Sequence, residues 1–442
     1  MPTQISPGVD AQARVAEPAA AAPVIGASKV RWRIFGVVFI LVVMNLLDRV
    51  SLSIAMPTIG KEFGMSSTLQ GLVLSSFFWS YALLQLPGGW LIDKFGPRKL
   101  ITASAALWGA FQALAAFATG SASLLASRLA LGVAEAPLFP SGAKLNALWL
   151  PSSERSRGAV LVDAGSPLGA AVGGITISYL ILTFGSWRAA FLIVGAVTIL
   201  MSWVAWRHVR DDPSRHQGVN AAELARITQP AAGVDGTIAE DDKRISPLSW
   251  GGLTLGRASW AMVYFGLLTW GPNYLAHARG FDLKQIGAAT FFIFLCGAFG
   301  SLASGFGADA LMRRLPRALV LKGMLSLSGL VIFGVFMLLP RIASPIQAVL
   351  LLCVAAFITM WGSLYWSLPA ILAPRHRVGV VGATMNFANS IGGMAIPIIV
   401  GLILDHVGDY ETVLHFFAFS ALAFVVFTLA IDMNAGAGRS KS

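Results

Sequence analysis

The stretch Gly89-Trp-Leu-Ile-Asp93-Lys94-Phe-Gly96-Pro-Arg98-Lys99 lies between two apolar runs, and a looser copy, Gly305-Phe-Gly-Ala-Asp309-Ala-Leu-Met-Arg313-Arg314, recurs 216 residues later. Each copy sets a glycine four residues before an aspartate and places basic residues shortly after it. A second internal match joins Gly158-Ala159 and Gly169 to Gly382-Ala383 and Gly393, at a constant offset of 224. Repetition at so long an offset implies two parallel halves rather than a stack of short repeats. Halves of this kind can rock about a site at the middle of a membrane.

The composition agrees with a membrane setting. Of 442 residues, 56% are hydrophobic and only 12% charged, with a mean hydropathy of +0.72. A soluble domain carries about a quarter charged residues, so a water-soluble globule is excluded and the surplus apolar surface needs lipid. Windows of about 20 apolar residues fall at 34–56, 70–92, 100–119, 122–149, 157–183 and 188–208, then at 252–275, 286–310, 318–339, 345–373, 378–404 and 412–432. The expected fold is an all-α membrane protein of twelve transmembrane helices in two pseudo-symmetric six-helix bundles. Residues 1–29 read as a cytoplasmic tail without the charged and apolar regions of a signal peptide. The bundles are expected at 30–208 and 251–433, with a polar linker at 209–250 and a second tail at 434–442.

Lys and Arg outnumber Asp and Glu by 32 to 21. With the N-terminus inside, 24 of the 32 basic residues fall on inner segments, counting Arg257 with the linker, and five fall outside: Lys61, Arg188, Arg279, Lys284 and Arg341. That asymmetry puts both termini in the cytoplasm, as expected of a multi-pass protein of the inner or plasma membrane. It also explains the net charge of +11 without nucleic acid, since the basic residues are scattered rather than clustered. Cys296 and Cys353 both lie in apolar runs and form no disulfide framework. The histidines show no zinc spacing, so no metal, cofactor or enzymatic constellation is expected.

Four charges remain deep within spans: Asp48 and Arg49 in the first, Arg128 and Glu135 in the fourth. Each needs a partner or a water-filled space at that depth. Arg128 and Glu135 are seven residues apart, two turns along one face. The four balance to zero, so rearranging the helices switches the two carboxyl groups between holding and releasing a proton; a static interhelical network is the alternative. Lys144, nearer the inner end of span four, is expected to snorkel. Asp163, near the inner end of span five, is expected to pair with Arg155 or Arg157 or to cap an inner gate. Asp93 and Arg98, with Asp309 and Arg313, are expected to close the cytoplasmic side through ion pairs and helix-end contacts. The C-terminal half is expected to contribute no charge at comparable depth. Its candidates are Trp270, Asn273, Tyr365, Trp366, Asn386 and Asn389, amides being suited to hydroxyl-bearing substrates.

Together these residues resemble the major facilitator superfamily, through the Gly89–Lys99 loop, and within it the anion:cation symporter branch. The branch includes bacterial galactonate, glucarate and hexuronate carriers and the vesicular glutamate and sialic acid carriers. The stretches that carry the likeness are Asn45-Leu-Leu-Asp48-Arg49, Tyr81-Ala-Leu-Leu-Gln85-Leu-Pro87-Gly88-Gly89, Arg128-Leu-Ala-Leu-Gly132-Val-Ala-Glu135 and Asn386-Phe-Ala-Asn389-Ser-Ile-Gly392-Gly393. The resemblance implies that Asp48 and Glu135 are the proton sites and that Arg49 neutralises the substrate carboxylate. It further implies that Arg128 pairs with the acids and that Tyr81 donates to substrate; Asn386 and Asn389 are the amide candidates for binding. The expected activity is proton-coupled symport of a small organic anion, a sugar acid or similar carboxylate, by a monomer alternating its access. The alternatives are a proton-linked exporter or antiporter and a non-transporting sensor on the same scaffold.

Overall fold

The computed structural model describes residues 27–151, 154–228, 245–373 and 377–433. In the first half run α1 (Val30–Glu62), α2 (Ser67–Phe95), α3 (Pro97–Ala115), α4 (Ser121–Glu135 continued by Leu138–Trp149), α5 (Arg155–Phe184) and α6 (Trp187–His208). The second half holds α7 (Pro247–Arg279), α8 (Leu283–Met312), α9 (Arg317–Leu338), α10, α11 (Val378–His406) and α12 (Tyr410–Leu429); α10 runs Pro345–Thr359, loosens to 3-10 geometry over Met360–Ser367 and ends at Leu368–Leu372. Nine of these are long and apolar enough to cross a membrane by length and composition alone. The other three are α2, α3 and α7.

Helix starts follow from local chemistry. Ser66, Ser186 and Ser246 each accept the backbone N–H of a residue in the helix that follows, and Asp282 forms a reciprocal cap with Gln285. Pro247 at the first position of α7 forfeits an N–H that no intrahelical carbonyl would meet. Gly280 ends α7 in the left-handed region, φ +66°, while the Phe281 N–H returns to the Leu275 carbonyl. The break in α4 follows from Pro137 and Pro140, which lack the N–H groups that Val133 and Ala136 would otherwise bond.

Within the first half, α1 packs along α5 and α3 along α6; within the second, α7 packs on α11 and α12, and α9 on α12. The halves meet chiefly along two seams, α2 with α11 and α5 with α8, and α1 also touches α7 between them. The internal repeat equates α2 with α8 and α5 with α11, so the seams are mates under one pseudo-symmetry. Both are tightest at the end away from residues 30 and 429. There a Cβ on Gly71 would strike the Pro397 carbonyl, and one on Gly401 the Ser67 carbonyl. Asp405 of α11 accepts the N–H groups of Ser67 and Thr68 at 2.9 and 2.8 Å, capping the start of α2 across the seam. Asn273 of α7 adds a bond to Gln70 at 3.1 Å. The protein is thus closed on the side opposite the termini.

On the terminal side, the linker is clamped to the first half. Its short helix, Ala221–Thr228, presents Glu223, which accepts the N–H groups of Val30 and Arg31 at the start of α1. Arg31 bridges Glu223 at 2.9 Å and Glu154 at 2.7 Å, and Arg226 reaches Glu154 at 2.6 Å. The Arg31 hydrogen bond is the chief reason that the Glu154 carboxyl lies below the usual glutamate range. Its contribution to stability is therefore in place at neutral pH and is lost as the pH falls through that lowered value. Glu154→Ala is expected to cost about 3 kcal/mol, since it strips a counter-ion from the buried Arg31. In melting curves of purified protein, the gap between wild type and variant should be full at pH 7 and shrink only below about pH 4.

Candidate functional site

The four deep charges converge between α1 and α4. The break after Glu135 leaves this residue at the end of the first segment of α4, fully buried, with its side chain turned to α1. Asn45 donates to Glu135 Oε2 at 2.6 Å, and Arg49, one turn further along α1, meets the same oxygen at 3.3 Å. Glu135 Oε1 has no partner among the described residues. Asp48 is 0% exposed and its carboxyl group makes no hydrogen bond of normal geometry, with the indole N–H of Trp108 on α3 facing it at longer range. It lies in electrostatic reach of Glu135, Arg128 and Arg49 without bonding to any of them. Arg128 is buried with Nε and one terminal nitrogen unpartnered.

Contacts are thus shared out differently from the expectation that Arg128 pairs with the acids while Arg49 stays available for substrate. Arg49 holds Glu135, and Arg128 has the open donors. Both arginines rest on an aromatic shelf from α2. The Arg49 guanidinium is 4.4 Å from the Phe77 ring and 4.9 Å from Tyr81, which itself stacks on Phe77 at 5.2 Å; Arg128 is 5.7 Å from Phe77. Arg49, Ser53, Phe77, Phe78 and Arg128 line a cavity of about 10 Å³ together with Leu268 and Thr269 of α7, so both halves contribute walls. The volume suits about one water molecule. Phe78 meets Phe265 of α7 at 4.6 Å, and Gly393 of α11 lies against both rings. Asn389, one turn before Gly393, has an unpartnered carbonyl oxygen. Asn386 is one turn further back, and its backbone carbonyl accepts from Ser390.

The residues at the terminal end of the fold divide. Asp93 pairs with Lys144 at 2.9 Å, so Lys144 finds a partner instead of snorkelling alone. Arg98 binds the Trp206 carbonyl at 2.9 Å and lies 3.9 Å over the Trp206 ring. Those contacts all stay within the first half. Asp309 and Arg313 are exposed at the end of α8 and make no ion pair with any described residue.

One expectation is corrected. Arg257 belongs neither to the linker nor to the surface. It is ten residues into α7, about 15 Å along the axis from Pro247, and only 4% exposed. Its guanidinium lies 3.9 Å from the Trp260 ring and 5.0 Å from Trp366, and donates to the Gly362 carbonyl at 3.1 Å. That carbonyl belongs to the 3-10 stretch of α10. The second half therefore does carry a deep charge. Its signal was in the sequence, since Ser246-Pro247 is a cap followed by a favoured first helical residue, which starts α7 several residues before its apolar window. Asn45 was also passed over, although it sits three and four residues before Asp48 and Arg49, on their face of the helix.

The sequence profile of the Major Facilitator Superfamily matches residues 38–397. The chain belongs to this superfamily. It is similar to the probable sulfoacetate transporter of Cupriavidus necator, 30% identical over 87% of this chain and 89% of that one. It also resembles the probable galactarate/D-glucarate transporter of Bacillus subtilis, at 29% identity over 90% of this chain and 91% of the other. The D-galactonate transporter of Escherichia coli is 30% identical, with 89% and 94% covered. Among solved structures, a bacterial homolog of the human lysosomal transporter Spinster, in an inward-facing and unoccupied conformation, superposes with a TM-score of 0.70 at 18% identity, over 93% of this chain and 96% of that one. The protein is a multi-pass membrane transporter, as the resemblance implied, and not an enzyme.

Proposed function

We propose that this transporter carries a small organic anion, a sugar acid or similar carboxylate, together with protons, into the cytoplasm. The observation that carries the reading is the pair of open valences at the centre. A fully buried carboxyl group, Asp48, makes no hydrogen bond of normal geometry, the Trp108 indole facing it at longer range, and it stands beside an arginine, Arg128, with two nitrogens unpartnered among the described residues. A bare carboxylate at that depth is costly, so Asp48 is read as carrying a proton in this closed arrangement. Arg128 and Arg49 offer planar donor forks to a substrate carboxylate. A substrate that takes Arg49 releases Glu135 from its ion pair, and Glu135 then takes up a proton. Substrate and proton thus arrive together through competition for one guanidinium.

Tyr81 holds Arg49 in place through its ring, and Asn389 supplies an acceptor for a substrate hydroxyl from the other half. The charge asymmetry of the loops supports a cytoplasmic location for both termini, which makes the sealed end the outer one. The names of the sulfoacetate, galactarate and galactonate transporters among its relatives agree with an anionic cargo. In vesicles holding the purified protein, galactarate or galactonate uptake is expected to accelerate at least fivefold when the outside is made one pH unit more acidic. Uptake indifferent to the gradient overturns the proton coupling, and uptake of neither acid overturns the substrate class.

A further inference from the structure

Arg257 has a chemistry that the scheme above leaves unused. It is a permanent cation, nearly fully buried, whose Nε bonds to no described residue. Two indole rings and a single carbonyl surround it, which is incomplete solvation for a charge at that depth. The acid that balances it is Asp163 of α5, in the other half, which acts through space and forms no ion pair with it. Asp163 is mostly buried and does not pair with Arg155 or Arg157; Arg155 instead donates to the carbonyls of Leu150 and Ala147.

The surroundings join this residue to the central site. Arg257, Trp260, Tyr264 and Leu268 follow one another at intervals of three and four along α7, so they form a single stripe. Leu268 lines the cavity beside Arg49. Tyr264 stacks on Trp260 at 5.1 Å and lies in electrostatic range of Arg49, Arg257 and Asp163 alike. Two arginines, one per half, therefore border the same aromatic-walled interior, one toward its centre and one toward the terminal side.

We propose that Arg257 is a second anion-binding group, which receives the distal acidic group of a doubly charged substrate whose first carboxylate is held at Arg49. Asp163 is the stand-in for that distal group and is displaced when the substrate binds. The cargo is accordingly an elongated dianion, an aldarate or a sulfonated carboxylate, in preference to a monoacid of equal length. An aldonate ends in a hydroxyl where an aldarate ends in a carboxylate, and a hydroxyl does little to neutralise a buried guanidinium. A dianion bridging both arginines also ties the halves together, which a monoanion does not.

This assignment rests on the anion-carrier reading, and one experiment separates the two. Binding of galactarate and galactonate to the purified full-length protein is measured by the rise in melting temperature across a concentration series. Wild type is expected to prefer galactarate at least tenfold, and Arg257→Gln to lower that ratio about tenfold. Asp163→Asn, which removes the competing acid, is expected to raise the ratio severalfold. If Arg257→Gln yields no folded protein, the ratio is read on Arg257→Lys, where loss of the planar fork still lowers it severalfold. Equal affinity of wild type for the two acids, or a ratio that neither Arg257 variant moves, overturns the second site while leaving the carrier reading intact. Binding of neither acid by wild type overturns both. Equal weakening of both acids in Arg257→Gln assigns Arg257 to holding α7 on α10 and also overturns the proposal.

Discussion

Glu135→Gln is expected to abolish accumulation of substrate against its gradient while sparing exchange of substrate across the membrane. A proton moving down one pH unit releases about 1.4 kcal/mol, enough for about tenfold accumulation per proton carried. Glutamine keeps the shape and still accepts from Asn45, but it has no proton to exchange. It also removes the negative charge that Arg49 meets at 3.3 Å, so a substrate carboxylate competes with a neutral oxygen and no longer with a carboxylate for that guanidinium. Anion affinity should therefore rise severalfold as accumulation vanishes, two effects of opposite sign from one substitution. Uptake into vesicles with and without a pH difference, together with counterflow at equal pH, reads both. Full gradient-driven accumulation by the variant would remove Glu135 from the coupling, and loss of counterflow would assign it a role in holding α1 to α4.

A comparably large effect is expected at the sealed end. Gly71 faces the Pro397 carbonyl with no room for even a Cβ, and the obstruction is backbone, which does not swing aside. Gly71→Leu should prevent α2 and α11 from closing there and shift the population toward the arrangement open on that side. A shift of about 3 kcal/mol changes the ratio of two states by more than a hundredfold. With Cys296 and Cys353 replaced by alanine, Ser53→Cys places a thiol on the cavity wall. Its reaction with an impermeant maleimide from the sealed side is expected to quicken at least tenfold when Gly71→Leu is added, and transport to fall in parallel. An unchanged labelling rate would show that closure does not depend on this contact.

How much of this was legible beforehand differs from element to element. The spans could be found because lipid imposes a length and a composition on any helix that crosses it, and the pairing of halves followed from the recurrence of Gly89–Asp93 at Gly305–Asp309. The four deep charges stood out because charge in an apolar run is costly. Their partners did not, because whether Arg49 or Arg128 meets Glu135 depends on how α1 and α4 are rotated and slid against each other. Spacing along one helix does not contain that register. Arg257 was mislaid for a different reason. A hydropathy window beginning at residue 252 leaves out a first turn whose start is marked by capping chemistry rather than by greasiness. The Asp93–Lys144 pair escaped notice because its members are 51 residues apart on different helices.

The clamp of Arg31, Glu154 and Glu223 bears on how far the halves can travel. It makes the first part of the connecting segment, through Thr228, a passenger of the N-terminal half. Every member of that clamp, Arg31, Glu154, Glu223 and Arg226, lies on the N-terminal side, so none of it has to break when the halves move apart. A clamp confined to one half sets neither the amplitude nor the direction of the swing. The stops are where backbone meets backbone at the ends of the seams, and the pivot belongs to the packed helices.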